Sequence, residues 1–168
     1  PGPVLYLALE DTPRRLQSRL RMILQGAPAP EGLELEVQCE RFPDGLDRVR
    51  RFHAEHPTMR LAVVDVLARV RPVKGDRDNA YDADYTAMSH VKDLADELGI
   101  CILVVHHTRK AASDDFLDDV SGTQGIAGGA DGVLVLKRSR GKADATLKVT
   151  GRDIEEAEHA LSFDPSRG

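Results

Sequence analysis

Apolar and polar positions along the chain alternate between two periods. Val4-Leu5-Tyr6-Leu7-Ala8-Leu9 is an apolar run that breaks at Glu10-Asp11-Thr12-Pro13, after which Leu16, Leu20, Ile23 and Leu24 recur at helical spacing. Asp11 or Thr12 is placed to cap that helix, with Pro13 at its first position. A loop over 26–32 leads to residues 33–42, where Leu33, Leu35, Val37 and Cys39 alternate with polar neighbours like a short half-exposed strand. A helix over 46–56 stops at Pro57. Arg60-Leu61-Ala62-Val63-Val64-Asp65 and Ile100-Cys101-Ile102-Leu103-Val104-Val105 read differently. They are apolar without alternation, the pattern of parallel strands covered on both faces, and each ends in polar residues, Asp65 and His106-His107.

Between these strands, residues 70–82 lack periodicity, and Met88, Val91, Leu94, Ala95 and Leu98 mark a helix over 85–98 that Gly99 closes. A second charged, aperiodic stretch over 107–120 and a glycine-rich one over 120–131 precede the apolar run Val133-Leu134-Val135-Leu136. Short alternating runs at 145–149 and 160–163 predict a hairpin. The order β-α-β-α-β-α-β-(short helix)-β-β-β predicts an α/β fold: a mostly parallel twisted sheet with helices on both faces and a C-terminal antiparallel hairpin.

Length makes this a single domain over 1–168, able to bury roughly 70% of its unfolded surface. A net charge of −5 argues against a protein that coats nucleic acid over its whole surface, though basic residues gather in the two aperiodic stretches. Two cysteines make no disulfide framework, Cys101 is expected to pack as a small hydrophobe, and a reducing cytoplasmic location fits. No apolar run approaches the roughly 20 residues of a membrane span. The chain passes from Pro1-Gly2-Pro3 directly into a strand, which leads us to expect the interior of a longer protein.

In an open α/β sheet ligands bind beyond the carboxyl ends of the strands. Glu10, Asp65, His106 or His107, and Arg152 of the hairpin are the candidates for that rim. An Asp ending an aliphatic strand is able to order Mg²⁺ and its waters, or merely to cap the following turn. The His pair, with Asp114, Asp115, Asp118 and Asp119 nearby, has a metal site as its rival reading, without ligands at fixed spacing. Ser121 has no Gly-x-Ser-x-Gly surround, which argues against a serine hydrolase.

Val4 to Asp11, Leu61 to Arg69, Val104-Val105-His106-His107-Thr108-Arg109-Lys110, Ser121-Gly122-Thr123, Ala130-Asp131-Gly132 and Val149-Thr150-Gly151-Arg152-Asp153 follow in this order. Together they resemble the RecA-like ATPase core of RepA-type hexameric replicative helicases, related to the DnaB helicases, RadA and KaiC. The resemblance implies a three-layer RecA-like domain using ATP and Mg²⁺, with Glu10 as general base and Asp65 and Asp11 at the nucleotide, Asp65 holding Mg²⁺ through water. It also implies His106 or His107 as a γ-phosphate sensor, Arg152 as an arginine finger reaching a neighbour's ATP, and a homo-hexameric ring around single-stranded DNA. Arg71, Lys74, Arg77, Arg109 and Lys110 would contact that DNA. Arg138 and Arg140 are alternative fingers, and Thr150 stands where DnaB-type relatives carry a second cation. The phosphate loop GxxxxGK[ST] is absent, and in the family it precedes the strand that opens at Val4. A degenerate module serving oligomerisation or regulation, and a recombination or signalling ATPase, are the alternative readings.

Overall fold

The structure is a computed structural model that describes residues 2–72, 80–107, 124–138 and 144–166, the side chains of 80, 81 and 124 excepted. The elements are β1 (Val4–Ala8), α1 (Pro13–Leu24), β2 (Leu33–Glu36), α2 (Leu46–Glu55), β3 (Leu61–Asp65), α3 (Leu67–Val70) and α4 (Ala80–Leu98). They continue as β4 (Cys101–Val105), α5 (Gln124–Gly128), β5 (Gly132–Arg138), β6 (Ala145–Gly151) and β7 (Ala157–Leu161). The first four strands form a parallel sheet in the order β2-β1-β3-β4, and the last three an antiparallel one, β5-β6-β7. This is the α/β architecture expected from the alternation of elements.

Parity along the strands separates the two faces of the parallel sheet. Leu5 and Leu7 lie level with Ala62 and Val64, and all four are fully buried. Their side chains join one core with Leu46, Val49 and Phe52 of α2 and Ala87, Met88, Val91 and Leu94 of α4. Burying each large aliphatic side chain contributes about 1.5–3 kcal/mol. Right-handed crossovers account for this sharing: β2 to β3 and β3 to β4 run one way across the sheet, whereas β1 to β2 runs the other way and carries α1 to the opposite face. That second face holds Tyr6, Val63 and Leu103. Helix α1, capped by the Thr12 hydroxyl accepting from Arg15 N, has no fully buried residue.

Three local expectations change. Strand β4, expected to be covered on both faces, is the edge of the sheet among the described residues: Leu103 is 41% exposed and Cys101 is exposed rather than packed. Strand β2 ends at Glu36, because the chain then turns inward to bury Phe42, whose N–H donates to Val70 O at 2.6 Å. Helix α4 begins at Ala80, ahead of the expected start, with Asp82 in its first turn where acids are favoured. Its inward stripe begins later, so periodicity conceals that first turn. Gly99 ends α4 at φ +62°, a conformation that costs other residues strain.

Asp84 on α4 is only 2% exposed, and Arg71 Nη1 donates to its Oδ1 at 2.8 Å. Arg71 O in turn accepts from Arg41 Nη1 at 2.8 Å, so residues 70–72 are held from two sides. Arg71→Ala should lower unfolding free energy in urea by about 1–2 kcal/mol, the charge-assisted bond being discounted because Arg71 reaches water. A loss below about 0.5 kcal/mol would place the pair among ordinary surface contacts.

Candidate functional site

The parallel register sets the strand ends level, with Ala8 opposite Asp65 and Asp65 opposite Val105. Leu9 N donates to Asp65 O at 2.6 Å, which carries that pairing one residue past β1. Glu10, Asp65 and His107 therefore emerge on a single rim. His107 Nε2 lies 3.4 Å from Glu10 Oε2, and Arg69 Nε lies 3.7 Å from Glu10 Oε1. All three side chains are substantially exposed, so these pairings are weak and open to exchange for another partner. His107 faces Glu10, and its neighbour His106 is half-buried.

Asp65 is held more firmly. Tyr6 Oη donates to its Oδ2 at 2.6 Å, the short distance of a hydroxyl bonded to a carboxylate. Burial, followed by the hydrogen bond and the charge of Asp65, pushes the Tyr6 phenol up to about 12, so it remains a donor at neutral pH. Asp11, also near Tyr6, is committed to its own helix: Arg15 Nε lies 3.1 Å from Oδ1, and Arg19 Nη1 bonds Oδ2.

Residues 1–113 match the family model described as AAA domain. The chain belongs to the AAA domain family. No curated protein matches it. Among solved structures it is similar to an ATPase domain, at TM-score 0.81 and 16% identity over 99% of this chain and 72% of that one. A DnaB-like replicative helicase, studied with its interactions with primase, gives TM-score 0.81 and 16% identity over 98% of this chain. This chain spans 50% of that helicase. The RadB recombinase follows at TM-score 0.60 and 15% identity, over 99% of this chain and 77% of that one. At such identities the likeness establishes the RecA-like fold.

Within this AAA domain the other expected site residues scatter. Arg152 lies in the turn between β6 and β7, where its N–H donates to Asp131 O at 2.9 Å and its Nη1 lies 3.5 Å from Asp131 Oδ1. It does not join Glu10 and Asp65 among the described residues. Arg71, partly exposed, is engaged by Asp84. Lys74, Arg77, Arg109 and Lys110 lie outside the described residues, as do Ser121 and Arg140.

Sequence reasoning missed Tyr6 and Arg69 as members of the rim. Arg69 lies four residues past Asp65, on the one-turn helix α3, a position visible only once that turn is known. Tyr6 shares a face with Asp65 by strand parity, which counts only once β1 and β3 are paired in register. The donor set fits Mg²⁺: a strand-end carboxylate whose Oδ1 accepts nothing from the described residues suits a hard cation that keeps its waters. The chain contains no Gly-x₄-Gly-Lys-[Ser/Thr] to cradle phosphates.

Proposed function

We propose that this chain is the ATP-hydrolysing motor core of a RepA-type replicative helicase, a homo-hexameric ring moving on single-stranded DNA in the cytoplasm. The observation that carries this reading is the convergence of Glu10, Asp65 and His107 at the ends of β1, β3 and β4. Phosphoryl transfer needs positioning and charge stabilisation more than covalent chemistry. Bound at Asp65, Mg²⁺ would neutralise the phosphate oxygens of ATP. Glu10 accepts the proton of the attacking water, and its half-exposed carboxylate has the access this requires. His107, within reach of Glu10, relays the state of the terminal phosphate to the segment that follows it, while Arg152 of a neighbouring subunit supplies the cation in trans.

The domain is read as partial, with a strand and phosphate loop ahead of Val4. Support comes from the edges of the two sheets: among the described residues β4 pairs with β3 alone and β5 with β6 alone, and Leu103, Leu134 and Leu136 are exposed. A strand beside β4 that crossed back to β1 by a right-handed connection would carry its helix over the face where Leu103 and α1 lie uncovered. A second reading, a degenerate module for oligomerisation or regulation, draws on the missing phosphate motif.

The test is ATP hydrolysis by the full polypeptide with and without single-stranded DNA, for wild type and Asp65→Asn. The motor reading expects DNA-stimulated, Mg²⁺-dependent turnover that falls at least a hundredfold in the variant, the scale on which metal-assisted charge stabilisation acts. Absence of turnover in the wild type, with assembly retained, would favour the degenerate module.

A further inference from the structure

Tyr6 is an unusual residue for its position. The interior of β1 is otherwise aliphatic, and phenylalanine would bury the same ring there, so packing alone does not call for a hydroxyl. Strand parity puts Tyr6 on the same face as Ala8, whose register partner is Asp65, and the ring reaches along that face to the carboxylate. The Oη–Oδ2 distance of 2.6 Å joins the two across 59 residues of sequence. Oδ1 accepts nothing from the described residues and is left for another ligand.

We infer that Tyr6 is a positioning residue for the metal site: its hydroxyl pins Oδ2 of Asp65 so that Oδ1 alone is presented to the waters of a divalent cation. This rests on the reading of Asp65 as the metal carboxylate. A carboxylate at a strand end has one free torsion about its terminal carbon, and a metal held only through water gives it little orientation. The phenol supplies the missing constraint before any cation arrives, as hydrogen-bond partners behind metal ligands do elsewhere.

The test measures Mn²⁺ binding to the full polypeptide with ADP present, by the loss of the free-ion electron paramagnetic resonance signal. Tyr6→Phe is expected to weaken Mn²⁺ about tenfold, the lower end for removing a residue that orients a metal ligand. Metal-free ADP binding and metal-free melting temperature should stay close to wild type, which a merely structural role would not produce. The Mg²⁺ concentration for half-maximal turnover should rise in parallel. A second readout needs no variant: Mn²⁺ addition to wild type should perturb tyrosine absorbance near the ultraviolet edge. Affinity within twofold of wild type in Tyr6→Phe, or a silent tyrosine spectrum, would overturn the inference while leaving Asp65 in place. If Asp65→Asn also binds Mn²⁺ like wild type, the metal assignment fails and the inference falls with it.

Discussion

Glu10→Gln should slow single-turnover ATP hydrolysis by the DNA-bound full polypeptide about 10²- to 10⁴-fold, the range a positioned general base supplies. The substitution keeps the size of the side chain and an amide oxygen that still accepts from His107 Nε2. It removes the one property the reaction needs, the capacity to take a proton. Nucleotide affinity should change little, because the partners of Glu10 are exposed and their ion pairs are weak. Turnover within tenfold of wild type would remove Glu10 from the base role, and the level placement of Glu10, Asp65 and His107 would lose its catalytic meaning.

The second large effect is expected in trans. Arg152→Ala should reduce turnover about 10³-fold or more, the contribution of a cation that meets charge developing on the transferred phosphoryl group. Arg152 is well exposed and, among the described residues, is paired through its side chain with Asp131 alone, so its loss should leave melting almost unaffected. Mixing decides whether the arginine serves a neighbour. In a ring with head-to-tail contacts, a site formed by an Arg152→Ala subunit has an intact Glu10, and an adjacent Glu10→Gln subunit brings the intact arginine. An equal mixture of the two inactive variants should therefore recover about a quarter of the sites by random assembly. If no mixing ratio restores turnover, Arg152 does not act across the interface.

Much of the architecture was legible because apolar periodicity changes sharply along this chain. The strand ending at Asp65 and the helix closed by Gly99 carry strong local signals, and both lie where those signals point. Coverage was harder to read. Ile102, Leu103 and Val104 look like a strand buried on both faces, yet burial depends on neighbours that local sequence does not specify, and among the described residues β4 lies at an edge. The candidate site divides in the same way. Glu10, Asp65 and His107 each follow an apolar strand, so strand-end logic finds them. Tyr6 lies inside a strand, where parity matters only after pairing is fixed, and Asp84 lies in a helical turn ahead of the apolar stripe. Nothing local marks it as the partner of Arg71.

Among the ion pairs that helix α4 makes with segments outside it are two that involve Arg71 and Asp131. Asp84, near its start, holds Arg71, while Lys92, two turns further on, lies 3.2 Å from Asp131, the residue that also holds Arg152. The two grips are about 12 Å apart along one uninterrupted helix. A helix does not stretch over such a span without breaking its own hydrogen bonds. In mechanical terms α4 is a strut, with the hairpin arginine fastened at its middle and the root of a charged segment fastened at its end. The fastening at Asp84 is buried and firm, whereas the one at Lys92 lies in water and yields first.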